Sequence, residues 1–161
     1  SRRRHTRCQI QSRGLGDVYK RQASDGKANL HQGAVGAGID MGTGVTMRGV
    51  LDDELVDEHP DTGALVAGLE IPHWDFILES SAKACDVTGL GYLGVDMVID
   101  RNLGPLILEM NARPGLNIQI ANGAGLKDRI RRIDDLFDAS ASPPQRAAAA
   151  RQEFQTERKT S

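Results

Sequence analysis

The stretch GYLGVDMVID (91–100), followed by RNLG (101–104) and PLILEMN (105–111), decides the fold. Two runs of β-branched and long aliphatic residues flank a short link holding Asn102 and Gly104, the pattern of an antiparallel hairpin. Side chains alternate across a strand, so Leu93, Val95, Met97 and Ile99 share one face and Asp96 points to the other. In the second run Leu106, Leu108 and Met110 share a face, and Glu109 and Asn111 point away from them. A turn centred between Asn102 and Leu103 sets Asp96 opposite Glu109 and Gly94 opposite Asn111. A bulged three-residue link would shift that register.

Two carboxylates directly across a ladder repel, at a cost of a few tenths to about 1 kcal/mol. A divalent cation between them reverses the sign of the interaction. Asp96, Glu109 and the Asn111 amide are hard oxygen ligands, which suit Mg²⁺ or Mn²⁺. Gly94 across from Asn111 leaves room for a ligand to approach the sheet. The plainer alternative is a pair of solvated strand carboxylates.

Outward from the hairpin, residues 73–87 read as a helix. Trp74, Ile77, Leu78, Ser81, Ala82 and Cys85 recur at core-facing spacing, Pro72 precedes them and Gly89 follows. Cys85 on that stripe reads as a core residue, with no basic neighbour to make it a nucleophile. Residues 33–51 read as a second hairpin, whose Met41-Gly-Thr-Gly44 turn places Gly42 and Gly44 where positive φ is needed. The acidic stretch 52–72 reads as a long loop of the kind that often lies over a site. KDRIRRIDDLFD (127–138) is a last helix with Ile130, Ile133, Leu136 and Phe137 on one face. The expected fold class is therefore α+β, an antiparallel sheet with flanking helices.

The chain of 161 residues fits one domain, and its net charge of −2 conceals unlike segments. Seven basic residues against Asp17 alone give residues 1–22 a charge of +6. Nine basic and nineteen acidic residues give 23–138 a charge of −10, and four against two give 139–161 a charge of +2. The first segment lacks apolar periodicity and its RGLGDVYKRQ resembles translated sequencing-adaptor read-through, so it reads as a foreign or disordered leader. The last is Ala/Ser/Pro-rich, with Pro143 and Pro144 as breakers, and reads as a flexible tail. No run approaches the ~18 apolar residues of a membrane span, and no signal peptide is evident. Cys8 and Cys85 are too few for a disulfide framework or zinc ribbon. A cytoplasmic protein without nucleic-acid or membrane partners is the expectation.

Other motifs carry little. Gly89-Leu-Gly-Tyr-Leu-Gly94 matches GxGxxG, but runs from helix into strand, the reverse of a dinucleotide fold. Asp100 to Glu109 echoes a calcium loop with the wrong spacing, and no phosphate-loop GxxxxGK[ST] is present. His59 and His73, beside Asp57 and Asp61, make a poor metal set.

GVDMVIDRNLGPLILEMNARPGL (94–116) resembles the metal-binding hairpin of ATP-grasp enzymes, and KANLHQGAVG (27–36) resembles a segment of RimK-type glutamate ligases. Residues 27–126 as a whole are most similar to ATP-grasp proteins related to alpha-L-glutamate ligases. The resemblance implies the carboxy-terminal lobe of such an enzyme over 23–138, with ATP and Mg²⁺ (or Mn²⁺) as cofactors. It implies that a substrate carboxylate attacks the γ-phosphate to give an acyl-phosphate, from which an amine displaces phosphate. Carried over by motif, Asp96, Glu109 and Asn111 hold metal, and Glu109 and Asn111 also contact the nucleotide phosphates. Lys27 contacts the transferred phosphate, Asn29 supplies a hydrogen bond there, and Arg113 holds a substrate carboxylate or phosphate. Asn117 and Asn122 are further candidates for substrate contact. Small-molecule carboxylates and amines are the implied substrates, with a peptide or protein as another acceptor.

Gln32 and Ala34 depart from the RimK pattern of Arg and Gly, which leaves the acceptor open. Two other functions fit parts of the sequence. A biotin-carboxylase-like enzyme shares Glu-x-Asn-x-Arg, but Leu116-Asn117-Ile118 lacks the Gln and His that usually follow. A non-catalytic module would keep the metal hairpin without turnover. ATP-grasp enzymes clamp nucleotide between two lobes, and the smaller lobe would lie upstream of Lys27, where the leader stands. The chain alone should therefore bind Mg²⁺-ADP weakly or not at all; a sub-micromolar affinity by titration calorimetry would contradict the missing-lobe expectation.

Overall fold

The computed structural model describes residues 6–12, 17–21, 35–51, 54–60, 63–115, 126–136 and 140–155. In chain order these form β1 (Thr6–Ser12), β2 (Asp17–Arg21), β3 (Val35–Asp40), β4 (Val45–Leu51), β5 (Glu54–Val56) and α1 (Trp74–Thr88). There follow β6 (Leu93–Asp100), β7 (Gly104–Asn111), α2 (Leu126–Leu136) and α3 (Pro143–Gln155). The strands make one sheet in the order β5-β4-β3-β2-β1-β6-β7, antiparallel at every pairing. The α+β class expected from the sequence is the one found.

The helical layer covers one face of this sheet. Trp74, Ile77, Leu78, Ser81 and Ala84 of α1 are buried, and the apolar four cluster with Ile39, Leu93, Val95 and Met97 from the strands and Met41 from the β3–β4 turn. Each large side chain so buried contributes roughly 1.5–3 kcal/mol. Ser81 is tolerated there because its hydroxyl donates to the Ile77 carbonyl at 2.8 Å. Gly89 ends the helix at φ 67°, its N–H donating to the Cys85 carbonyl at 2.9 Å. Cys85 is half-buried against the same core, as its place on the apolar stripe implied.

The turn between β3 and β4 ties sheet to helices. Asp40 Oδ1 accepts from the Thr43 N–H and hydroxyl at 2.8 and 2.9 Å, and the Trp74 indole donates to the Met41 carbonyl at 2.9 Å. Gly44 has φ 75°, and a Cβ there would lie 2.5 Å from Trp74 Cγ. Gly42 is glycine for a different reason from the one expected. It is not among the residues with positive φ; a Cβ would stand 2.7 Å from the Gln155 backbone nitrogen of α3. The Gly42 carbonyl in turn accepts from Arg151 Nε at 2.9 Å and Gln155 Nε2 at 2.7 Å.

The expectation of a flexible tail over 139–161 is corrected by α3. Ala147, Ala150 and Phe154 lie at i, i+3 and i+7 and are buried in the main core. Pro143 and Pro144 open the helix instead of breaking one, since a first-turn N–H has no intrahelical partner to lose. Gln145 Oε1 accepts from the Ser142 N–H at 2.8 Å and its hydroxyl at 2.9 Å, the reach-back half of a capping box, which ties Ser142 to the first turn of α3. Arg132 of α2 lies 4.4 Å from the Phe154 ring centre and pairs with Glu153 at 2.9 Å. Arg146 pairs with Asp86 at 2.6 Å, and Arg151 pairs with Asp75 in the first turn of α1. In α2 the buried residue is Arg129, 5.7 Å from the same ring, while Ile133 is only half-buried and Leu136 exposed. Phe137 lies outside the described residues.

Two more segments depart from their reading. The leader contributes β1 and β2, which lie between β3 and β6. Ladder pairing is made by the main chain, so any proline-free segment can satisfy a bare strand edge without apolar periodicity. The stretch 52–72 contains β5 and folds back on β4. Buried Thr46 donates its hydroxyl to the Val66 carbonyl at 2.7 Å and accepts from the Leu69 N–H at 2.9 Å. This places the stretch at the β5 end of the sheet, with Val35, Ala37 and Val66 as a second small core.

Truncating Phe154 to alanine removes the ring on which α3 and two of the three α2 arginines, Arg129 and Arg132, converge. The substitution should lower stability by about 3 kcal/mol in urea titration and raise hydrogen exchange first in α3; an unchanged midpoint would return the segment to a loose tail.

Candidate functional site

The β6–β7 hairpin brings the three oxygen-bearing side chains together. Asp96 pairs with Glu109 and Gly94 with Asn111, the partners expected. The register arises differently from the assumed turn. Asp100 pairs with Gly104 across three link residues, Arg101 to Leu103, and Gly104 takes φ 74°. That odd link alone would set Asp96 against Leu108. A bulge follows, because Met97 pairs with Ile107 while Asp96 pairs with Glu109, leaving Leu108 as the extra residue. The turn shifts the ladder by one and the bulge shifts it back.

The bulge also corrects the expected face of β7. Leu106, Leu108 and Met110 do not share one face: Leu106 stands across from Val98, Met110 across from Val95, and Leu108 is unpaired. As the edge strand, β7 exposes Leu106, Ile107, Leu108 and Met110.

Val95 and Met97 are buried under the helices, so Asp96 between them faces the opposite side of the sheet. There its residue is only 8% exposed, flanked in register by Gln9 of β1 and Glu109 of β7. Glu109 is exposed and Asn111 half-buried. Asn111 Nδ2 donates to Glu109 Oε1 at 2.9 Å, which fixes the amide with its oxygen as the acceptor end. Among the described residues no three His, Cys, Asp or Glu side chains gather closely enough to hold a metal. The hairpin set has two carboxylates and an amide, all hard oxygen donors. It matches the chemistry of Mg²⁺ or Mn²⁺, which keep remaining positions for water and phosphate oxygens.

Gly94 does not leave a ligand approach to the sheet, as its sequence position suggested. A Cβ there would meet Pro114 Cβ at 2.7 Å, so the proline ring already fills that space. Arg113, between Asn111 and Pro114, is exposed. Burial raises the Tyr92 phenol above its ordinary value. Lys27, Asn29, Asn117 and Asn122 lie outside the described residues. A cavity of about 310 Å³ lies between the three helices, lined by Leu78, Cys85, Ile133 and Ala150 among others. It is on the helical face, across the sheet from Asp96.

Sequence reading missed the bulge and the Pro114 contact. A glycine closing a three-residue link signals the first, and a glycine inside a strand signals the second. Deleting Leu108 should leave a regular ladder in which Asp96 still faces Glu109. Their cross-strand NMR contacts should persist; their loss would show that the register is set elsewhere.

No helix among the described residues is long and apolar enough to cross a membrane. No curated protein matches the chain. The model of the sugar-transfer associated ATP-grasp family matches residues 19–135, a span that holds the hairpin, α1 and most of the sheet. ATP-grasp membership, expected from the hairpin, is thus supported, in a branch other than the RimK-type ligases. The chain belongs to the sugar-transfer associated ATP-grasp family.

Proposed function

We propose that the chain supplies the metal and phosphate side of an ATP- and Mg²⁺-dependent ligase that activates a carboxylate as an acyl-phosphate and joins it to an amine. The observation that carries this reading is Asp96 and Glu109 paired across the ladder on the face away from the helices, with Asn111 hydrogen-bonded to Glu109. Like charges in register are unfavourable by up to about 1 kcal/mol unless a cation offsets them. Asp96, Glu109 and Asn111 would hold Mg²⁺ or Mn²⁺, with Glu109 and Asn111 beside the nucleotide phosphates. Bound there, the metal supplies neutralisation of charge on the transferring phosphoryl group.

The chain's own residues orient and neutralise. Burial of Asp96 keeps one carboxylate at a fixed place in the sheet, and the Asn111 amide restrains Glu109. Exposed Arg113 adds a cation that can grip a carboxylate or phosphate through two N–H groups. Lys27 and Asn29 would complete the phosphate contacts. The likeness of residues 27–36 to glutamate ligases makes an amino-acid carboxylate such as glutamate the first substrate to assay, with a small amine, peptide or protein as acceptor. The family's association with sugar transfer makes a carboxylate- or amine-bearing sugar the second class.

Paramagnetic Mn²⁺ should broaden the backbone NMR signals of residues 94–96 and 109–111 selectively. Glu109→Gln or Asp96→Asn should weaken this at least tenfold, and with the upstream nucleotide-binding lobe restored Glu109→Gln should reduce Mg²⁺-dependent ATP turnover by roughly 10²-fold or more, as for loss of a charge-stabilising group. Mn²⁺ broadening or turnover that survives Glu109→Gln would overturn the metal assignment.

A further inference from the structure

We propose that Gly94 and Pro114 form a lock that positions Asn111 and Arg113, with Gly94 as a positioning residue for the hairpin's chemistry. The metal and phosphate part of this inference rests on the function proposed above; the lock itself does not.

Glycine inside a strand weakens it and calls for a reason. At Gly94 the reason is contact. A Cβ would lie 2.7 Å from Pro114 Cβ, 3.4 Å from Pro114 Cγ and 3.6 Å from Asn111 Cβ. The first of these is closer than real atoms approach, and a proline ring, fixed at φ near −65°, cannot rotate aside as a flexible side chain would. Pro114 can therefore seat on β6 only because position 94 has no side chain.

This seat lies directly across the ladder from Asn111. The chain leaves β7 at Asn111 and returns to the sheet at Pro114, with only Ala112 and Arg113 between the two anchors. Asn111 is held by its place in the ladder and by its hydrogen bond to Glu109. Anchoring both ends of so short a span removes most of its conformational freedom during folding. The exposed Arg113 is then presented at a set distance from Glu109 without an ordering cost at the moment of binding.

Gly94→Ala tests the lock in the full chain. Amide hydrogen exchange at Ala112 and Arg113 should rise at least tenfold, with α1, Val95 and Met97 unchanged. Mn²⁺ affinity at residues 94–96 and 109–111 should fall about fivefold or more. Pro114→Gly should open the lock from the other side with the same localised change, and it keeps the sheet intact if Gly94→Ala does not fold. The double variant Gly94→Ala/Pro114→Gly has no Cβ at position 114 for the new methyl to meet, so the two changes should not add, and its exchange and Mn²⁺ affinity should match those of Pro114→Gly alone. A purely structural glycine would instead lower stability throughout, with additive losses. Exchange at 112–113 within twofold of the parent in both single variants, or losses that add in the double variant, would overturn the proposal. Glu109→Gln separates the two readings: Mn²⁺ binding unaffected by it defeats the metal assignment, while the exchange measurements still decide the lock.

Discussion

Asp96 and Glu109 stand face to face across an antiparallel ladder, and the rest of the structure keeps them there. Strand β6 cannot slip, because a one-residue shift would turn Leu93, Val95 and Met97 out of the core and bury Gly94 and Asp96 in their place. Strand β7 has no such anchor. It is an edge strand with exposed aliphatic side chains, so its alignment comes from the three-residue link, the left-handed Gly104 and the Leu108 bulge acting together. The repulsion of two aligned carboxylates is small beside the burial that holds β6, and a bound cation turns it into attraction.

The helical layer depends in turn on the β3–β4 turn. Trp74 at the start of α1 and Arg151 and Gln155 near the end of α3 all donate to carbonyls of Met41 or Gly42. Helix N-terminus, helix C-terminus and sheet therefore meet at one short turn, where both glycines are held by contact distance. Asp75 adds to this junction twice, complementing the positive end of α1 and pairing with Arg151. The hairpin carboxylates lie on the other side of the sheet, so the helices support the site without covering it.

Much of the site was legible from spacing. Alternation put Asp96 on the face away from the core, the expected pairing with Glu109 holds although the link and a bulge produce it by another route, and glycine in the turn and helix cap marked Gly44 and Gly89. Other readings failed for identifiable reasons. Gln145 reaching back to Ser142 is a local helix-start signal that two prolines and an Ala-rich composition masked. Arg129 took the buried place expected for aliphatic residues because an aromatic ring, supplied from more than twenty residues away, accepts a cation as readily as a methyl group. Gly94 was read as space for a ligand when the occupant was the chain itself.

By itself the sequence determined what is periodic. The face of β6, the buried stripe of α1, the two hairpins, the hard-oxygen donor set and ATP-grasp membership all follow from residue types at short, regular intervals. Tertiary structure decided what depends on meeting distant partners. The order of the strands, the docking of α3 through Phe154, the return of 52–72 onto Thr46 and the seating of Pro114 on Gly94 are contacts between segments that share no local pattern. The Leu108 bulge lies between the two, since it offsets a local three-residue link yet shows only in the pairing of β7 with β6. Periodicity reports which face a side chain takes; only packing reports what it meets there.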